Sequence, residues 1–253
     1  MRMHVLSGGR LRMKRHIYSA GADRSAYIEL PVSCFLLRHP QGNVLFDTGC
    51  HPSVVEDAEG RWGGLARFMA PIHGPDENVV DELSRLGLEP RDIEVVVNSH
   101  LHCDHCGCNA FFENATFIAH AHELATARDP AMEGKGYFRK DWDGAAGFDA
   151  VDGERDLFGD GRLVLVPLPG HSPGLIGALA TLDRDGAFLM VSDAVALREN
   201  LDREFVPGNT WSPERLLKSY EEIRTIEKSG ASVLCGHDPE QWQALRRHGG
   251  VHE

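Results

Sequence analysis

His100-Leu101-His102-Cys103-Asp104-His105 follows almost directly on the apolar run Ile93-Glu94-Val95-Val96-Val97. The run reads as a strand, and that strand delivers three imidazoles and a carboxylate at its C-terminal end. His100 and His102 stand two apart, so in an extended segment their side chains point the same way. Asp104 and His105 come as the chain turns and can face a second ion beside the first. A closed structural zinc site needs four ligands in a tetrahedron. Four ligand-type residues within one turn, with further candidates downstream, suit two ions better than one.

Fourteen histidines in 253 residues is a high number. His4, His16, His39, His248 and His252 have no acidic or histidine neighbours in a telling pattern and read as solvated. The cluster at 100–105 needs matching ligands elsewhere, and three segments offer them. Leu168-Pro169-Gly170-His171-Ser172-Pro173-Gly174 sets a histidine in a tight turn after the apolar strand Leu163 to Leu168. Phe188-Leu189-Met190-Val191-Ser192-Asp193 ends a strand on a carboxylate. Ser232-Val233-Leu234-Cys235-Gly236-His237-Asp238 ends another on a histidine. Taken singly, Asp193 reads equally as a helix cap and His237 as a core residue. Repeated three times, a metal-type residue after an apolar strand argues for one shared site, because ligands gather at the carboxyl ends of strands in layered α/β proteins.

Apolar patterning predicts strands near 3–7, 33–38, 43–47, 93–98, 115–119, 161–168, 176–182, 187–192 and 231–235. Helices are predicted near 76–86, 120–128, 212–227 and 238–247. Val79, Val80, Leu83 and Leu86 recur at helical spacing, and Ser212-Pro213-Glu214 is a cap followed by proline at the first helical position. Strands cluster, helices intervene and the order repeats, a pattern that fits two β/α halves. The stretches 50–75 (Trp62, Leu65, Phe68, Met69, Ile72) and 130–150 (Met132, Tyr137, Phe138, Trp142, Phe148) read as walls of a cleft, or equally as self-packed loops or a subunit interface.

The composition, 42% hydrophobic and 25% charged, is that of a globular protein. The length allows one domain spanning 1–253 with a real core. A net charge of −12, from 38 acidic against 26 basic side chains, argues against a nucleic-acid partner. No stretch has the apolar length of a membrane span, and the start has no hydrophobic leader, so the cytoplasm is the expected compartment. The six cysteines are then expected to be reduced. Cys103-x-x-Cys106 could be read as a redox or zinc pair, but the neighbouring histidines already explain that loop. Cys103 should point away from the ions if His102 and Asp104 point toward them, and oxidation sensitivity near the site is expected.

The order His-x-His-x-Asp-His, Gly-His-Ser, strand-Asp, Gly-His, together with Asp47-Thr48-Gly49 after Asn43-Val44-Leu45-Phe46, resembles the metallo-β-lactamase superfamily over nearly the whole chain. The resemblance implies an α/β fold, the four-layer αββα sandwich, with the metals at one edge. It implies one ion on His100, His102 and His171, a second on Asp104, His105 and His237, Asp193 bridging the two, and Asp47 orienting ligands from behind. Pro31-Val32-Ser33-Cys34-Phe35-Leu36-Leu37, Ser99-His100-Leu101-His102, Pro169 to Gly174 and Cys235-Gly236-His237-Asp238 are most similar to the N-acyl homoserine lactonases. Those enzymes carry a carbonyl-binding tyrosine three residues after the bridging aspartate, where this chain has Ala196. Of the four tyrosines (Tyr18, Tyr27, Tyr137 and Tyr220), Tyr137 lies in a loop from which it could reach a cleft or simply face solvent.

What the resemblance implies is hydrolysis of a small lactone. Two divalent ions, with zinc expected and iron, manganese or cobalt compatible, would lower the pKa of a bridging water. The resulting hydroxide attacks the ester carbonyl, and Asp104 carries a proton to the departing oxygen. The partner is a small-molecule ester or lactone, and a homodimer is compatible with the reading. Rival readings are hydrolysis of another ester or a thioester on the same fold, as in glyoxalase II, and a di-iron oxidoreductase. The latter generally has a glutamate where this chain has His102 and a flavin domain for which no residues remain. A metal-stabilised binding protein without turnover is the third.

Overall fold

The computed structural model of the chain describes residues 1–143 and 147–253; the side chain of His248, and the expectation placed on it, lie outside the described part, as do residues 144–146 of the stretch 130–150. The strands are β1 (Arg2–Lys14), β2 (Tyr27–His39), β3 (Gly42–Phe46), β4 (Ala70–Pro71), β5 (Val95–Val97), β6 (Thr116–His120), β7 (Phe148–Val151), β8 (Arg155–Asp156), β9 (Leu163–Pro167), β10 (Ile176–Thr181), β11 (Ala187–Ser192), β12 (Ser232–Cys235) and β13 (Val251–His252). The helices are α1 (Ala58–Trp62), α2 (Val79–Arg85), α3 (Ala121–Arg128), α4 (Arg139–Trp142), α5 (Arg198–Arg203), α6 (Pro213–Lys228) and α7 (Pro239–Arg246). One sheet runs β13-β1-β2-β3-β5-β6-β7, with β4 also on β1; the other runs β12-β11-β10-β9-β8.

Period-two alternation decides which residue joins which layer. Phe35, Leu37, Val44, Phe46, Val97 and Ile118 face Leu165, Ile176, Ala178, Phe188 and Met190 of the second sheet in one central cluster. Their sequence neighbours Leu36, Leu45, Val96 and Phe117 point outward and pack under Val79 and Leu83 of α2. Leu189, Val191 and Val233 likewise point outward, under Leu216, Tyr220 and Ile223 of α6. Both faces of each sheet are thus apolar, and the αββα layering follows. Helix starts are capped: Ser212 accepts from the backbone N–H of Arg215, as the sequence suggests, and the structure adds Asn78, which accepts from Val80 and Asp81, and Asp238, which accepts from Gln241.

Several elements differ from expectation. β1 continues past the predicted end at 7 through Gly8 and Gly9, where a bulge shifts the register against β2 between Ser7 and Arg10. The first half of β2 and the short polar elements α1, α4, α5, β4, β7, β8 and β13 carry too little periodicity to read. His4 and His39 are buried rather than solvated. His39 stacks on Phe158 with centroids 4.1 Å apart and meets Asp160 at 2.9 Å, because the turn after β8 folds over the end of β2. His16 is exposed and His252 half-buried.

Strand direction gathers the site. β3 and β5 are parallel, as are β11 and β12, and β9 and β11 are both antiparallel to β10, so these last two run the same way. Five carboxyl ends therefore meet at one edge, carrying Asp47, the 100–105 turn, His171, Asp193 and His237. The backbone N–H of Ile176 donates to the Ser99 carbonyl at 2.9 Å, joining the two halves there.

Candidate metal centre

All seven ligand-type residues come together. His100, His102 and His171 form one group, Asp104, His105 and His237 a second, and His100, His105 and Asp193 a third that links them; within each group the candidate ligand atoms lie within 4.8 Å of one another. Nδ1 of His102 lies 3.0 Å from Nε2 of His100 and 3.1 Å from Nε2 of His171. The Asp193 carboxylate divides its oxygens. Oδ1 is 2.9 Å from Nε2 of His237 and 3.1 Å from Nε2 of His105, while Oδ2 is 3.3 Å from Nε2 of His171. Oδ2 of Asp104 stands 3.6 Å and 3.9 Å from the same two imidazoles of the second group. One carboxylate oxygen thus serves each half, the disposition a bridging ligand needs.

A bound cation fits these donors. Nε2 of His105 and Oδ1 of Asp193 are buried and make no well-formed hydrogen bond, a costly state unless something else satisfies them. Burial holds His100 well below the usual imidazole value and brings His102 and His171 down to about 4, so these three present the neutral ring that ligates metal. At His105 burial acts in the same direction but is outweighed by Asp104, Asp193 and Asp47, which push it well up; at His237 Asp193 does the same. That negative field, in an interior that water does not screen, is the field that attracts cations.

The nitrogens facing away from the cluster are also held, which sets the tautomers. Nδ1 of His105 meets Oδ2 of Asp47 at 2.9 Å, Nδ1 of His100 meets Oγ of Ser99 at 3.0 Å, and Nδ1 of His237 donates to the Pro31 carbonyl at 2.8 Å. Asp47 also accepts from the backbone N–H and hydroxyl of Ser99, both at 2.7 Å. It does so from a left-handed backbone, φ 61°, and Ser192 beside Asp193 has φ 47°. Strain of this kind persists where the surroundings over-determine it. Gly49 closes the Asp-Thr-Gly turn at φ +73°, with a Cβ there falling 2.4 Å from Cα of Gly8.

Sequence reasoning missed Glu123 on α3, which is fully buried. Its Oε1 accepts from Leu101 N–H at 3.0 Å and the Tyr137 hydroxyl at 2.8 Å; its Oε2 accepts from the Ser172 hydroxyl at 2.7 Å and Gly174 N–H at 3.0 Å. One carboxylate therefore clasps the 100–105 turn to the His171 turn. Tyr137 reaches the cleft rather than facing solvent: it lines the cavity but is only 2% exposed, its hydroxyl is taken by Glu123, and its ring meets His102 edge-on at 4.6 Å. Gly136 before it, at φ +92°, leaves the room His102 needs, since a Cβ there would sit 2.8 Å from the His102 Cδ2.

The donors open into a cleft of about 370 Å³ that includes Met13, Tyr18, Leu65, Met69, Met132 and Trp211. Both long stretches serve as walls and as packing. Leu65, Met69 and Met132 line the cleft, whereas Trp62, Phe138 and Trp142 are buried behind it. The two walls are pinned together by Arg61, which donates to the buried carboxylate of Asp141. Burial, against the pull of Arg61, raises Asp141 to about 6, so the fold favours its neutral form. That contribution is full below the ordinary aspartate value and is lost as pH rises through about 6. Arg61→Ala is therefore expected to cost about 3 kcal/mol at neutral pH, and much less at pH 5, where Asp141 carries a proton. Urea melts at the two pH values check this; an equal cost at both would contradict it.

All six cysteines are free and buried. Cys103 belongs to the same buried cluster as Val32, Val54 and Trp62 and to none of the ligand groups, though it also borders the cleft. Burial pushes Cys103 and Cys106 well up, so the oxidation sensitivity expected from sequence is not supported: the reactive thiolate is disfavoured. Among the described residues no helix is long and apolar enough to cross a membrane.

The family model for the metallo-beta-lactamase superfamily matches residues 27–237. The N-acyl homoserine lactonase AttM of Azorhizobium caulinodans is 35% identical over 261 residues, covering 100% of this chain and 99% of that protein. AttM of Agrobacterium fabrum is 34% identical, covering 98% and 97%. Among solved structures, an N-acyl homoserine lactone hydrolase with the product N-hexanoyl-L-homoserine at its catalytic metal centre superposes with a TM-score of 0.88 at 27% identity, covering 99% of this chain and 98% of that one.

Proposed function

The chain belongs to the metallo-beta-lactamase superfamily, and from that premise we propose that it is a metal-dependent hydrolase that opens the lactone ring of N-acyl homoserine lactones. The observation that carries this reading is the Asp193 carboxylate set between two histidine-rich halves at the floor of an apolar cleft. His100, His102 and His171 would hold one cation, and Asp104, His105 and His237 the other, with Asp193 common to both. When bound, such a pair supplies an acidified water and Lewis acidity toward the carbonyl and the leaving oxygen.

The chain's own residues supply the rest. Neutral imidazoles in the first half are ready to ligate without losing a proton. Asp47, Ser99 and the Pro31 carbonyl fix ring orientation. Asp104, which lines the cleft, would take the attacking water's proton on the carboxylate oxygen that does not face His105 and His237, and return it to the ring oxygen as the ester bond breaks. Met13, Leu65, Met69 and Met132 offer apolar surface to an acyl chain and exclude water from it. The lactonase names of the relatives support the substrate class. Zinc suits the histidine-and-carboxylate donors, and the buried, free thiols suit a reducing compartment such as the cytoplasm.

The test is proton release by metal-loaded protein on short- and long-chain acyl homoserine lactones, with a simple γ-lactone and an S-acyl thioester beside them. Release on the acyl lactones, abolished by chelation, is expected. Release on the thioester alone would transfer the site to thioester hydrolysis.

A further inference from the structure

The residue that resemblance led one to expect at the substrate carbonyl is missing, and another tyrosine stands at the cleft in its place. Ala196 is 2% exposed and packs in the same buried cluster as Tyr18, Met13 and Leu197. Tyr18, 178 positions earlier in the chain, lines the cleft together with Asp104, Asp193 and His171. The two segments are tied: Nδ2 of Asn200 donates to the Tyr18 carbonyl at 2.7 Å, while Oδ1 of Asn200 accepts from Leu197 N–H at 2.8 Å. A side chain cut back to a methyl at 196 thus shares its buried cluster with a large aromatic contributed from elsewhere.

The hydroxyl of Tyr18 is held in an unusual way. It donates to the Sδ of Met13 at 3.1 Å and receives a long 3.5 Å contact from Nδ2 of Asn209. A thioether is among the weakest acceptors a protein offers, and Met13 and Asn209 both line the cleft as well. A donor resting on so poor a partner gains by turning to an oxygen that carries developing negative charge, and it gains most when that charge is largest. Burial, reinforced by the charges of Asp193 and Asp104, holds the phenol well above its usual value, which keeps the proton on the oxygen.

We propose that Tyr18 is the catalytic hydrogen-bond donor to the substrate's carbonyl oxygen, replacing from the β1–β2 connection the donor that Ala196 does not provide. The inference rests on the lactone-opening reading. No bond is made or broken by Tyr18: the O–H turns from sulfur to the carbonyl oxygen as the tetrahedral centre forms and turns back when the ring opens.

The test compares wild type with Tyr18→Phe, both metal-loaded, on N-hexanoyl homoserine lactone, with metal content and melting temperature measured on the same samples. A fall in kcat of about 10²-fold is expected, with KM within about threefold and metal content and melting temperature unchanged. A kcat within about threefold of wild type would overturn the proposal while leaving the lactonase reading intact. So would a fall matched by lost metal, which would make Tyr18 a packing residue. If wild type itself opened no lactone while holding its metal, the lactonase reading would fall, and this inference with it.

Discussion

Asp193→Asn is expected to lower kcat/KM for lactone opening by at least about 10³-fold and to reduce bound metal per chain. The size follows from geometry. Oδ1 lies within 3.1 Å of the imidazoles of His105 and His237, and Oδ2 within 3.3 Å of that of His171. An amide is nearly isosteric but offers one oxygen and an NH₂, so one half of the site would meet a donor where a cation needs an acceptor. The loss should exceed the 10- to 100-fold typical of groups that merely orient ligands. His102→Ala should act similarly by removing the nitrogen that stands about 3 Å from both His100 and His171. Elemental analysis alongside initial rates reads both effects. Full metal content with activity within tenfold of wild type in either variant would remove that residue from the ligand set.

Glu123→Ala is expected to be the most destabilising single change around the site, at about 4 kcal/mol or more. Four donors converge on that buried carboxylate, two from backbone and two from hydroxyls. Each buried donor left without a partner costs about 1–3 kcal/mol, and the emptied space adds to this. In a chain of this length such a change corresponds to a fall in melting temperature of roughly 8–16 °C. Because the clasp joins the His102 turn to the His171 turn, metal affinity should fall in parallel. Glu123→Gln, which keeps the volume and one acceptor oxygen, should cost less. A melting temperature within about 2 °C of wild type for Glu123→Ala would show that the loops are held by other means.

The sequence made the ligand cluster legible because every member ends an apolar strand, and strand ends are what a layered α/β fold brings to one edge. The structure places His100, His102, Asp104, His105, His171, Asp193 and His237 together at that edge. The metallo-beta-lactamase fold was legible through the resemblance those motifs carry, whereas the inward and outward alternation of β2, β3, β5 and β11 that builds the layers is seen in the structure. Glu123 was not legible: its partners lie 22, 14, 49 and 51 positions away, and nothing local distinguishes it from a solvated helix residue. Tyr18 was passed over for Tyr137 because exposure cannot be read from a loop. Both tyrosines line the cleft, but the Tyr137 hydroxyl is spent on Glu123, whereas that of Tyr18 rests on the weak Met13 thioether. The continuity of β1 through two glycines, and the burial of His39 by a turn 121 residues later, are likewise set by tertiary pairing rather than by local pattern.

The central claim is that two cations held by this one cluster open a lactone. The most direct measurement titrates metal-free protein with zinc while following proton release on N-hexanoyl homoserine lactone. The account predicts activity that rises to a plateau at two equivalents per chain and is abolished by chelation. A plateau at one equivalent, or no release at any loading of a protein that binds two, would contradict it.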